Sequence, residues 1–120
     1  MSTTILISIM LTVGTQMTDW SIVQAEGVGY RNCIRDAAAR FEPSGEAADI
    51  VADAAEFSCL ERRLLLAVAM GKFYAESDPK LRAADALSRA TDLSKSIGRD
   101  SRNEAFVAVV QARTARVRPR

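Results

Sequence analysis

Histidine is absent from the 120-residue sequence. That removes the commonest general base, the commonest zinc ligand and every histidine-dependent catalytic triad. Lysine occurs only at Lys72, Lys80 and Lys95, so amines that could activate a serine in place of histidine are few. Glycine and proline number 6 and 3, too few for a collagen-like or linker-like chain. Charge of one sign is not in excess either. Sixteen Lys+Arg face fifteen Asp+Glu for a net +1, which leaves no whole-chain electrostatic case for nucleic acid. The uncharged run at residues 5–13, ILISIMLTV, is short of the roughly 20 apolar residues of a membrane span, so no stable transmembrane span is expected.

What remains is a globular composition, 48% hydrophobic and 26% charged, sized for one domain. The 5–13 run has the length of a signal-peptide core, and Val23-Gln24-Ala25 offers a small-residue cleavage pattern before Glu26. Residues 1–25 are accordingly read as a signal peptide, 26–117 as one α-helical domain and 118–120 as a frayed basic tail. The competing reading makes the apolar N-terminus a structural or interface segment of the mature chain.

Beyond Glu26 the pattern is helical. Breaks are expected at Glu42-Pro43-Ser44-Gly45, with Ser44 capping the next helix; at Ser77-Asp78-Pro79, with Asp78 as N-cap; and at Gly98-Arg99-Asp100-Ser101, with Ser101 and Glu104 as a capping box. These breaks predict helices over about 28–41, 46–76, 79–97 and 101–117. The first buries Tyr30, Cys33, Ile34, Ala37, Ala38 and Phe41. In the second, Ile50, Ala54 and Phe57 are expected inside. The run LLLAVAMG at 64–71, apolar all round, is expected to be the buried centre, with Leu65 and Val68 in the core. Leu81, Ala84, Leu87, Ala90 and Thr91, then Phe106, Val109, Val110 and Val117, are the expected inward residues of the last two helices. Short connections make an all-α bundle or array of three to four antiparallel helices.

Chemistry-bearing patterns are sparse. Asp49, Asp53 and Glu56, near Glu42 and Glu46, are either a hard-cation site or, more simply, a solvated acidic face near a helix start. Arg113, Arg116, Arg118 and Arg120 either meet anionic groups or complement the end of a helix. No catalytic, cofactor-binding or metal-binding residue is assigned. Cys33 and Cys59, 26 positions apart, match no CxxC motif. They are either a structural disulfide, favoured if the chain is exported, or two buried thiols. A bond between them requires a turn longer than four residues or a tilted helix pair.

Two resemblances can be stated. Met70-Gly71-x-x-Tyr74 with Ala83, Leu87 and Ala90 resembles one tetratricopeptide helix pair, in which small residues let two helices approach. It departs from that family at Ala67 and Lys95 and has no second copy, so it implies only a tight helical hairpin. The arrangement Tyr30-Arg31-x-Cys33, Glu42-Pro43-Ser44-Gly45-Glu46-Ala47 and Ala54-Ala55-x-x-x-Cys59 resembles small exported two-cysteine α-helical proteins of alphaproteobacteria. The first four residues carry no Lys or Arg, unlike a usual export signal. The resemblance implies a periplasmic or secreted helical protein and supplies no catalytic residues. The function expected is non-enzymatic binding of a protein or peptide in a helix-lined groove. The alternative is a cytosolic helical adaptor or regulatory subunit.

Overall fold

The computed structural model describes residues 19–117. The apolar run at 5–13 and the tail at 118–120 lie outside the described residues. The described chain is all-α, with four helices: α1 Asp19–Phe41, α2 Ala48–Ser58, α3 Leu60–Ser77 and α4 Ala83–Val117. A single 3-10 turn, Glu42–Ser44, follows α1.

The expected break at Pro43 is present, and it is longer than four residues. After the 3-10 turn, Gly45 takes a left-handed φ of 80°, the region that glycine enters without steric cost. The Glu46 N–H donates to Ser44 Oγ at 3.3 Å. Ser44 therefore closes the turn and does not cap α2, whose N-cap is Ala47. The second break also moves. Asp78 Oδ1 accepts from the Lys80 N–H at 3.1 Å, making a local turn, and the helix resumes only at Ala83.

Continuity differs from expectation at two places, a long helix that bends and a break that is missing. The helix expected over 46–76 is cut at Cys59, which has φ −105° and ψ 16° and ends α2 as it starts α3. Just before it, Ser58 Oγ donates to the Ala55 carbonyl at 3.0 Å, a back-bond that bends helices. Conversely, no break occurs at Gly98. The residues expected to form two helices run as one 35-residue α4, about 52 Å long. Gly98 and Ser101 are buried in its middle, so the capping box is not formed. An α-helix tolerates one glycine at a modest cost, and here its bare face admits Tyr30.

α1 and α4 lie side by side in roughly the same direction, and the bent α2–α3 unit runs antiparallel to both. Asp53 meets Arg102; Gly71 lies opposite Leu87 and Ala90, and Gly27 opposite Leu66. A Cβ on Gly71 would stand 3.5 Å from Leu87 Cα, so α3 and α4 approach closely, as the small residues of the hairpin pattern predicted. The core gathers Tyr30, Ile34, Ala37, Ala38, Val51, Ala55, Cys59, Leu66 and Met70, with Ala90, Ala105 and Val109 from α4.

The inward face of α1 is as expected; those of α2 and α3 are not. In α2, Val51, Ala52 and Ala55 are buried, while Ile50 and Ala54 are exposed and Phe57 is 79% exposed. In α3, Leu66, Ala67, Met70 and Gly71 are buried, while Leu65 and Val68 are 46% and 62% exposed. In α4, Ala84, Leu87, Phe106, Val110 and Val117 are exposed, and only Ala90 and Val109 of the expected set are buried. Closely packed helices place their small side chains at the contact, so alanines displace the larger apolar residues outward. Leu66→Ala should therefore cost about 3 kcal/mol, and Leu65→Ala in dilute solution within about 0.5 kcal/mol. Denaturant midpoints would show which of the two neighbours is core.

Candidate functional site

Residues of α1 and α4, joined at one end by α3, line a trough made of two adjoining cavities that share Val28 and Arg31. The first, about 400 Å³, is floored by Ala38, Ala105, Val109 and Ala112. Arg31 and Arg35 stand on its α1 rim and Glu104 on its α4 rim. The second, about 380 Å³, is lined by Trp20, Val23, Met70 and Phe73 with Leu93 and Ile97. Trp20 and Phe73 hold each other there, with ring centroids 5.3 Å apart at 51°. The trough thus has an aromatic, methionine-bearing end and a shallow alanine-floored end with charged rims.

The shape follows from the sequence. Helical spacing puts Val28, Arg31, Arg35, Ala38 and Ala39 on one side of α1. Ala105, Ala108 and Ala112 face them from α4. Alanines keep the floor low. A closed end is supplied by Glu42, whose side chain is 9% exposed and pairs with both Arg113 and Arg116. Arg113 also donates from Nη2 to the Glu42 carbonyl at 3.0 Å. The basic tail of the sequence therefore does something neither reading anticipated: two of its arginines fasten the end of α4 to the turn after α1.

The acidic face of α2 is likewise answered from α4. Arg102 pairs with Asp53 and donates to the Asp49 carbonyl at 3.4 Å. Asp53 beside it raises the Arg102 pKa, so the guanidinium stays charged. Glu56 stands 4.0 Å from Arg63. Among the described residues no group of three or more His, Cys, Asp or Glu side chains is placed to hold a metal ion. The acids cross-link helices, a role that the local spacing did not reveal because Arg102 lies 49 residues from Asp53.

Cys33 and Cys59 are brought to disulfide distance, with Cα atoms 6.0 Å apart. The six-residue turn 42–47 reconciles their unequal distances from the ends of α1 and α2. Cys59 is buried at the bend and Cys33 half-buried on α1. No helix of the described chain is long and apolar enough to cross a membrane.

No family model, curated protein or solved structure matches this chain. The trough offers apolar floor, aromatic surface and charged rims of both signs, which is equipment for holding an amphipathic segment. It is not visible in the sequence because its lining comes from residues up to 92 positions apart, each unremarkable alone.

Proposed function

We propose that this chain is a non-enzymatic binding protein of an oxidising envelope compartment, periplasmic or secreted, which holds an amphipathic peptide segment in the α1–α4 trough. The observation that carries the reading is the pair of adjoining cavities with Arg31 and Arg35 on one rim and Glu104 on the other. An amphipathic helix laid in such a groove buries its apolar stripe and pairs its flanks with the rims. The placing in an oxidising compartment rests on the cysteine pair at disulfide distance.

The test uses a displayed peptide library panned on the native protein. Selected peptides should lose at least about tenfold in affinity, roughly 1.4 kcal/mol, on Ala108→Trp, which fills the trough from an exposed position. They should keep their affinity for Ala84→Trp, which lies on α4 outside it. Equal binding to both variants would place the peptides elsewhere and end the reading.

One observation favours the cytosolic adaptor as a second reading. α1 continues unbroken through Val23-Gln24-Ala25, with Val23 in the core and Trp20 against Phe73. Removal of residues 1–25 would strip one end of the trough. The mass and cell fraction of the native protein decide between the two. Recovery from the envelope supports the first, with a start at Glu26 leaving the alanine-floored cavity alone to hold the peptide, and an intact N-terminus in the cytosol supports the second.

A further inference from the structure

Among the described residues, an apolar face of α3 has no covering element. On α3, Leu64, Leu65 and Val68 are exposed, and Leu60 is at the edge of exposure. Phe57, just before the bend on α2, is exposed as well. Large apolar side chains exposed together on one face of a small soluble protein mark an interaction surface. None of these residues lines the trough, so the inference does not depend on the binding reading above.

The pattern of the face specifies its occupant. Glu61, Leu65, Val68 and Lys72 follow at steps of 4, 3 and 4 along α3, the spacing of a coiled-coil seam. The charges at the two ends of that stripe are opposite, and the apolar pair lies midway between them. If a second α3 is laid antiparallel across the first about that midpoint, the sequence becomes its own complement. Leu65 falls opposite the partner's Val68, and Val68 opposite the partner's Leu65. Glu61 meets the partner's Lys72 at one end, and Lys72 meets the partner's Glu61 at the other. Glu61 and Lys72 are exposed, and neither joins an ion pair with any described residue of its own chain. A two-fold contact of this kind uses the same patch on both subunits.

We infer that the chain forms an antiparallel homodimer through α3, with Leu65 and Val68 at the two-fold axis and two Glu61–Lys72 pairs at its ends. One 18-residue helix, about 27 Å long, supplies most of the contact on each side. Stable complexes bury roughly 800 Å² per partner, which is more than one short helix is expected to supply, so dissociation is expected in the micromolar range. Both troughs face away from the axis and stay open in the dimer.

Sedimentation velocity on the full native chain over a wide concentration range reads the mass directly. The expected result is twice the 13.0 kDa chain mass at high concentration, falling to one chain on dilution. Val68→Glu places two carboxylates at the axis and should leave monomer throughout, with an unchanged melting curve in dilute solution. Glu61→Lys alone and Lys72→Glu alone should each weaken the dimer about tenfold, since each turns two attractive pairs repulsive. The double variant Glu61→Lys, Lys72→Glu should restore it. A native chain that is monomeric at every concentration overturns the inference. So does a dimer indifferent to Val68→Glu, or a double variant that fails to recover.

Discussion

A Cys33→Ser chain is expected to melt roughly 15 °C below the native protein under non-reducing conditions. The two cysteines stand at disulfide distance and are 26 positions apart. Closing a loop of that length removes entropy from the unfolded chain, and the chain-entropy relation puts the gain at about 3.5 kcal/mol. Spread over the unfolding entropy of a domain of about 100 residues, this shifts the midpoint by roughly 15 °C. A small domain with total stability of about 5–10 kcal/mol draws a large share of it from one such bond. Reductant added to the native chain should lower the midpoint by a similar amount and leave Cys33→Ser unmoved. Thiol counts on denatured, unreduced protein from its native compartment should be zero. Two thiols per chain in that material would show buried cysteines without a bond, and the case for an oxidising compartment would go with it.

The second large effect is expected at the crossing of α1 and α4. Tyr30 is fully buried, and its hydroxyl lies where a Cβ on Gly98 would stand, 2.6 Å away. Glycine is required here by close approach. Its backbone is ordinary helix, so alanine would otherwise help by about 1 kcal/mol. The overlap reverses the sign. The buried ring has no room to swing aside, and Gly98→Ala should cost about 2 kcal/mol. Tyr30→Phe removes the oxygen that alanine would strike and leaves no buried hydroxyl without a hydrogen-bond partner. In that background Gly98→Ala should become neutral or stabilising, a coupling of about 2–3 kcal/mol. Equal costs in both backgrounds would show that the hydroxyl is not what excludes the side chain. Burial raises the Tyr30 pKa above 10.0, Glu56 pushes it the same way, and Arg63 opposes them. The neutral phenol is the form the fold accepts. Its contribution is full below pH 10, the unfolded-state value, and is lost as pH rises through the raised folded value. Tyr30→Phe should lack that alkaline loss.

The helices were legible where local chemistry decides them. Pro43 and Gly45 stop α1, Asp78-Pro79 stops α3, and the face of α1 from Tyr30 to Phe41 follows from its spacing alone. The failures share one cause. Gly98 has the look of a terminator because glycine so often ends helices, yet its reason is Tyr30, 68 positions earlier. Cys59 carries no strong breaking signal, and the bend there depends on its place between α1 and α4. An apolar run is more often buried than exposed, so spacing alone puts Leu65 and Val68 in the core. A close contact between α3 and α4 needs Ala67 and Gly71 inward, and their position on the helix then turns the leucines out. The trough was hidden for a related reason: alanines form a floor only when two helices far apart in sequence face each other.

The unbroken α4 acts as a splint across the bend at Cys59. Its N-terminal half supports α3 through Leu87 and Ala90, and its C-terminal half supports α2 through Arg102. The close approach of Cys59 to Cys33 fixes the pivot but not the angle between the two arms. That angle is dictated by the rotation of α4 between Ala90 and Arg102. Each residue inserted in this stretch would turn every later side chain by about 100° and advance it by about 1.5 Å. Arg102, Ala105, Val109 and Arg113 would leave their partners together. The chain can absorb changes of length in its turns, but the spacing from Ala90 to Arg113 is a phase that it cannot alter.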